Sequence, residues 1–346
     1  MASRLMLLVF PAIVVLSAGC QDNSRVVAEL QSQGASVARN LDDTVKSVRF
    51  DGQSPTDADL QKLESFKTLQ EVFAVAPDVT DAGLTALNGM EKLHTVSVAG
   101  SAVSGDCLAT LIKLPALNYL DLSNSSKLQE DKLESLRGNS QIQTLRLTNT
   151  NLTDKSIDVI ASMTGLKHVR IAGTQVTDEG IAKLATALPG LETLEFGSDQ
   201  ITDSAAMSLA PLTGLQELEI LNTQISDEGL GALAGLSKLR ILAVHHSPRI
   251  SDAGIALLGR LPELYSLDVS HSEFTGADFK QAGFVTLTRL FADNTKVTND
   301  NIGSFKGLPE LGALKLRGTE VTQEGVSRFF ASNDPTAVAV GPMPAE

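Results

Sequence analysis

The segment LKHVRIAGTQVTDEGIAKL spans residues 166–184, and its apolar spacing changes halfway along. Val169 and Ile171 lie two residues apart, as on one face of a strand, whereas Ile181 and Leu184 are spaced as on one stripe of a helix. Thr177 and Asp178 mark where the helix starts: the hydroxyl can serve free N–H groups of the first turn, and the carboxylate stands against the positive end of the helix dipole. The same wording returns with a period of roughly 24 residues. Its first apolar positions are Val45, Leu69, Leu93, Leu117, Ile142, Leu166, Leu191, Leu215, Leu239, Leu264, Leu287 and Leu311.

A repeat of one short strand and one short helix cannot bury its apolar side alone, so neighbouring blocks must stack into a common core. Strands pair at about 4.8 Å while helices need about 10 Å, so the helical side fans out and the strand side becomes concave. The expected fold is an α/β solenoid of right-handed blocks, with a parallel sheet on the concave face and short helices on the convex one. Residues 45–330 hold the twelve blocks. Single extra residues are expected near Ser126, Gln200 and Pro248, and a one-residue deletion across residues 275–287. Residues 21–44 are read as a capping helix, with Val26, Val27, Leu30, Val37 and Leu41 on one stripe. Residues 331–346 are read as a closing strand, Ala337 to Val340, between Pro335, Pro342 and Pro344.

The template, with Thr/Ser-Asp-x-Gly-Leu at Thr80 to Leu84 and Thr177 to Ile181, resembles the leucine-rich repeat family, in its helix-containing, ribonuclease-inhibitor-like subclass. That subclass includes F-box adaptors and bacterial envelope proteins. The resemblance implies a binding scaffold. This chain departs from the family in placing Thr after the strand (Thr150, Thr174, Thr223, Thr295, Thr319), where Asn is common, and a hydroxyl ladder between blocks is the expected substitute.

Residues 1–20 read differently from the repeats. Arg4 precedes an apolar run from Leu5 to Leu16 that is too short to span a bilayer, and Ser17-Ala18-Gly19-Cys20 follows. This resembles the lipobox of bacterial lipoproteins, which implies lipid attachment at Cys20 and a cell-envelope location, although Ser17 stands where Leu is usual. A plain secretory signal is the alternative. Cys107, the other cysteine, reads as a small buried residue.

The formal net charge of −13 disfavours nucleic acid as a partner. Asp57, Asp81, Asp154, Asp178, Asp203, Asp227 and Asp252 recur at helix starts, where capping is the plain explanation and a calcium rail the sharper one. Strand alternation sends one column to the open face: Arg49, Phe73, Ser97, Asp121, Arg146, Arg170, Glu195, Glu219, Ala243, Asp268, Phe291 and Lys315. On that face His168, Arg146 and Arg170 form a basic step beside an acidic step of Glu195, Glu217 and Glu219. Phe73, Tyr119, Leu221, Ile241 and Phe291 are the candidate anchors for a partner. His245, His246 and His271 lie near Asp268; His246 and His271 occupy equivalent places in consecutive blocks, which allows shared zinc coordination.

No H-E-x-x-H, G-x-S-x-G, Walker or Cys-x-x-Cys motif is present. A Glu195 and Glu217 pair could be drawn as glycosidase carboxylates, but an open solvated face gives no separation of their pKa values. The expected function is therefore a monomeric, non-enzymatic scaffold without a cofactor, lipid-anchored in a bacterial envelope, that holds a protein or glycan on its concave sheet. The competing readings are an intracellular F-box-like adaptor and an envelope spacer acting by self-association.

Overall fold

A computed structural model describes residues 18–306, 308–330 and 337–341. One sheet carries fourteen strands in chain order. They are β1 (Ala35–Arg39), β2 (Val45–Phe50), β3 (Glu71–Val75), β4 (Thr95–Ala99), β5 (Tyr119–Asp121), β6 (Thr144–Arg146), β7 (His168–Arg170), β8 (Thr193–Phe196), β9 (Glu217–Ile220), β10 (Ile241–Ala243), β11 (Ser266–Asp268), β12 (Arg289–Phe291), β13 (Ala313–Arg317) and β14 (Ala337–Gly341). From β2 onward every neighbour is parallel, and a helix or 3-10 turn returns each chain segment to the next strand, as the change of apolar period requires. Between sheet and helices the core is layered Leu, Val and Ile, buried in every block.

What joins one block to the next is a carboxylate. Asp154 accepts the backbone N–H of Thr177 at 2.8 Å on Oδ1 and the Thr177 hydroxyl at 2.5 Å on Oδ2. Asp57 serves Thr80, Asp178 serves Thr202, Asp203 serves Ser226 and Asp227 serves Ser251 in the same two-pronged way. Each of these hydroxyls also accepts from the N–H two residues on, so one side chain caps its own helix and ties it to the block before. Because both carboxylate oxygens are engaged, the calcium rail is replaced by hydrogen bonds; among the described residues no group of three or more His, Cys, Asp or Glu is placed to hold a metal.

The carboxylate also explains the glycine. A Cβ on Gly180 would stand 2.2 Å from Asp154 Oδ1, and one on Gly83, Gly229 or Gly254 would stand 2.4 Å from the preceding block's Asp Oδ1. Where Gly105 and Gly276 replace the Asp, the tie is absent and the helices degrade. The block of Gly105 has only Leu108–Leu111 as helix, and the next has a 3-10 segment, Glu130–Leu136. The block of Gly276 has the 3-10 segment Phe279–Ala282, and the next has Ile302–Phe305. That shortened stretch is filled from beneath by Phe274, Phe279, Phe284 and Phe305, with ring centroids 5.0–6.1 Å apart.

Three sequence expectations are corrected. Residues 21–44 are not one helical stripe: a helix, Ala18–Ser32, buries Val27 and Leu30, then Gly34 (φ 86°) turns the chain into β1, which runs antiparallel to β2. Leu41 is fully exposed in the hairpin turn, because a strand satisfies the sheet-edge hydrogen bonds that a helix would leave open. The Thr residues after the strands do not bridge blocks. Thr150, Thr174, Thr295 and Thr319 donate to the carbonyl three residues back in their own turn, and only Thr223 reaches a neighbour, Ser247, at 3.0 Å. The extra residue expected near Gln200 lies in the helix Asp178–Ala187, which is the longest of the repeat helices among the described residues. Residues 1–17, with most of the expected export signal, and residues 331–336 and 342–346, with Pro335, Pro342 and Pro344, lie outside the described residues.

Two outcomes test this joint. Gly180→Ala should destabilise by about 1–3 kcal/mol through overpacking, whereas Gly235→Ala, whose added methyl meets nothing within 4 Å, should be neutral or stabilise by up to about 1 kcal/mol, both by urea unfolding. Burial works against the Asp81 charge, but bonds from the Cys107 and Ser104 N–H groups win and hold its carboxyl at about 2 against 3.8. Its folded pKa is the lower one, so its stabilisation is complete above pH 3.8 and is lost as pH falls toward about 2. Asp81→Asn should flatten the acid side of a stability profile in that window.

Candidate functional site

The register fixes the concave face. One column runs Arg49, Phe73, Ser97, Asp121, Arg146, Arg170, Glu195, Glu219, Ala243, Asp268, Phe291 and Lys315 across β2 to β13. Beside it Tyr119, Thr144, His168, Thr193, Glu217, Ile241 and Ser266 form a second column from β5 to β11.

The centre of the face is a charge cluster around Arg170. Its Nη1 donates to Glu195 Oε2 at 2.6 Å and to Glu219 Oε1 at 2.8 Å, and its Nη2 donates to Glu217 Oε1 at 2.9 Å. Arg170 thus reaches past β8 to β9. Burial opposes its charge, but the bonds and fields of Glu195 and Glu219 outweigh that and hold the guanidinium pKa above its ordinary value. Glu195 is buried, with 7% of its side chain exposed, and also accepts the Thr148 hydroxyl at 3.0 Å. Glu195 therefore forms part of the floor rather than an accessible acidic step, whereas Glu217 and Glu219, about a quarter exposed, remain reachable, as does Arg170 to a similar degree although its guanidinium is bonded to all three carboxylates. The two carboxylates drawn as a glycosidase pair share this one guanidinium.

Arg146 is separate from that cluster. Its Nη1 donates to Tyr119 Oη at 3.3 Å and its Nε stands 3.8 Å from Asp121, a buried carboxylate that takes the Ser97 hydroxyl and the Ser123 N–H. His168 shares a 2.9 Å hydrogen bond with the Thr193 hydroxyl on the next strand.

The apolar anchors are half-buried. Arg49 covers the Phe73 ring at 4.0 Å and Lys315 covers Phe291 at 4.5 Å, so each phenylalanine carries a cation from the adjacent strand on its face. Leu221 and Ile241 are half-buried as well, and Val75 beside Phe73 is 67% exposed.

The histidines lie off the strands proper. His246 (φ 55°) and His271 (φ 60°) take the left-handed turn position that Asn124, Asn149, Asn222 and Asn294 hold in other blocks. Their rings stack at 3.9 Å and 18°, with His245 5.6 Å from His246. Face-to-face rings direct their nitrogens along parallel planes rather than toward a shared point, and Asn294 Nδ2 lies 3.1 Å from His271 Nε2. The zinc reading of His246 and His271 is corrected to a stacked turn column beside Asp268.

A hollow of about 260 Å³ at the start of the strands is lined by His168, Glu192, Gln216, Glu217, Ile241 and Tyr265, among others. The sequence reading missed Glu192, Gln216 and Tyr265. They sit one residue after the first apolar position of their blocks, a column not read at all. A larger hollow of about 530 Å³ lies on the helical side, where the 3-10 segment Phe279–Ala282 leaves space beside Asp252–Leu257. Cys107 is buried, and burial, with Asp81 beside it, pushes its thiol well above the ordinary range. Among the described residues no helix is long and apolar enough to cross a membrane.

Residues 163–185 and 213–234 match the family model described as Leucine Rich repeat. No curated protein sequence matches the chain. Among solved structures, an internalin from Listeria monocytogenes is similar over 94% of this chain and 95% of its own, with 20% identity and a TM-score of 0.56. A chain from the Rad7 and Elc1 complex of yeast is similar over 93% and 88%, with 17% identity and a TM-score of 0.54. At these identities the likeness is one of fold.

Removing the central cation should be costly. Arg170→Met leaves Glu195 buried without its partner and Glu217 and Glu219 unscreened, and should destabilise by on the order of 3 kcal/mol in chemical unfolding. Glu195→Gln keeps a hydrogen-bond acceptor and should cost clearly less.

Proposed function

We propose that this leucine-rich repeat protein is a non-enzymatic recognition scaffold, tethered in a bacterial envelope by lipid on Cys20, that holds a protein partner on its concave sheet over β9 to β12. One observation carries the reading: an unbroken parallel register that presents Leu221, Ile241 and Phe291 half-buried, next to reachable Glu217, Glu219 and Asp268, on a face that no other element of the described chain covers. Aliphatic and aromatic side chains that are already immobile lose little entropy on docking and dominate binding energy. The neighbour from the yeast Rad7 and Elc1 complex, an arc similar in fold that was solved within a protein complex, supports this reading. The envelope location rests on residues 1–20 alone, where the apolar run ends in Ser17-Ala18-Gly19-Cys20.

The hydroxyl, amide and carboxylate groups around Tyr265 favour a second reading, a glycan stacked in the 260 Å³ hollow. Residues 21–44 themselves hold one helix and the β1 strand rather than the helix bundle of an F-box-like adaptor. A self-associating spacer predicts sedimentation that rises with concentration; the scaffold reading predicts a monomer.

Growth with radiolabelled fatty acid should label the wild-type protein and not Cys20→Ser; label retained by the variant would reject the anchor. Phe291→Ala and Phe73→Ala test two ends of the face. Capture of a partner from envelope extracts should fall at least about tenfold for Phe291→Ala and change little for Phe73→Ala.

A further inference from the structure

We infer that the concave sheet from β8 to β12 is shaped for a positively charged polypeptide segment, with one lysine or arginine side chain seated over Ala243. This rests on the reading that the concave face docks a protein, and it names the chemistry of that protein.

The charge on this stretch is out of balance. Register sets Glu195 opposite Glu219 on adjacent strands, an arrangement in which like charges repel. Among the described residues Arg170 is the one cation bonded to the three carboxylates Glu195, Glu217 and Glu219, and it has to reach across a strand to meet two of them. Farther along, Asp268 and Asp293 form no ion pair among the described residues. Asp268 Oδ1 accepts the Ser270 N–H at 2.9 Å and Asp293 Oδ1 accepts the Arg317 N–H at 2.6 Å, which leaves the second oxygen of each without a hydrogen bond among those residues. Against these five carboxylates stand Arg170, the exposed Arg289 and, on β13, Lys315 over Phe291 and Arg317 beside Asp293, so the excess of acid lies over β8 to β11. Folding gains nothing from this surplus, since neutral residues would pair across the strands at lower cost. A surface that keeps it is matched to a cation from outside.

The relief of the face says where that cation sits. Between Glu219 and Asp268 the concave column holds only Ala243, a small side chain that is 9% exposed, so the floor dips between two acidic walls. With strands spaced at about 4.8 Å, those walls stand about 10 Å apart, and an ammonium or guanidinium lowered over Ala243 comes within hydrogen-bonding reach of both. Ile241 and Leu221 flank the dip and suit the aliphatic stem of the same side chain. Arg240, just before β10, is turned to the rim: it lies 5.9 Å over Tyr265 and 3.7 Å from Glu263.

The test uses the full chain and two fluorescent synthetic peptides of equal length, one alternating Lys and Leu and the other Glu and Leu, with affinity read by anisotropy. The Lys peptide should bind, weaken steeply between about 0.05 and 0.5 M NaCl, and lose at least about tenfold in affinity for Glu217→Gln/Asp268→Asn. Ala243→Arg, which fills the dip with an internal cation, should lose as much, with circular dichroism confirming that it is folded; the near-isosteric double variant decides the matter if it is not. Glu179→Gln/Glu228→Gln removes the same charge from the helical side and should stay within about twofold of wild type. Equal binding of the Glu peptide, or an equal loss for the helical-side pair, would overturn the proposal. If capture from envelope extracts depends on Phe291 but not on Glu217 and Asp268, concave docking stands and the cationic partner is rejected.

Discussion

The bond between an Asp carboxylate and the Thr or Ser that opens the next helix sets the spacing of this molecule. A helix start leaves N–H groups unsatisfied, and here the preceding block supplies the acceptor. Asp154 reaches Thr177 only because Gly180 has no side chain in the way, so Asp, hydroxyl and glycine act as one device spread over two blocks. The bond holds neighbouring helices at a fixed offset, and that offset keeps the strands in register on the opposite side. Continuous columns on the concave sheet are thus a product of contacts made on the helical one.

The concave face is less open than a row of outward residues implies. Glu195 is an interior group, Arg170 is engaged by three carboxylates, and Phe73 and Phe291 each carry a cation on one ring face. A partner therefore meets aromatic edges, aliphatic side chains and carboxylates that have given part of their hydrogen-bonding capacity to the protein itself. Preorganisation of this kind trades some of the available charge for rigidity.

Much of the fold was legible because its signals are local and repeated. The change of period at Val169, Ile171, Ile181 and Leu184 gives strand and helix, and twelve repetitions give the stacking. The exposed column from Arg49 to Lys315 follows from alternation. What escaped depends on contacts between blocks. Nothing local says that Asp178 serves Thr202 rather than its own helix, or that Arg170 passes over β8 to reach Glu217 and Glu219. The turn geometry of His246 and His271 had a trace in the sequence, since Asn124, Asn149, Asn222 and Asn294 stand at the same place and Asn is the commonest non-glycine residue in left-handed backbone. The hollow at Glu192, Gln216 and Tyr265 escaped because its residues directly precede the strands, where alternation has not yet started.

Gly105 and Gly276 stand where a carboxylate would otherwise couple two blocks, and at Gly105 the tie shrinks to a backbone bond from Gln129 to Ser104 with the Lys132 to Asp106 ion pair. An array held by nearest-neighbour coupling parts first where that coupling is weakest. The second joint falls between β11 and β12, where the Asn301 amide and the Ser304 hydroxyl bond the Thr275 and Gly276 carbonyls in place of a carboxylate, so a partner gripping β9 to β12 straddles it and bending strain concentrates there.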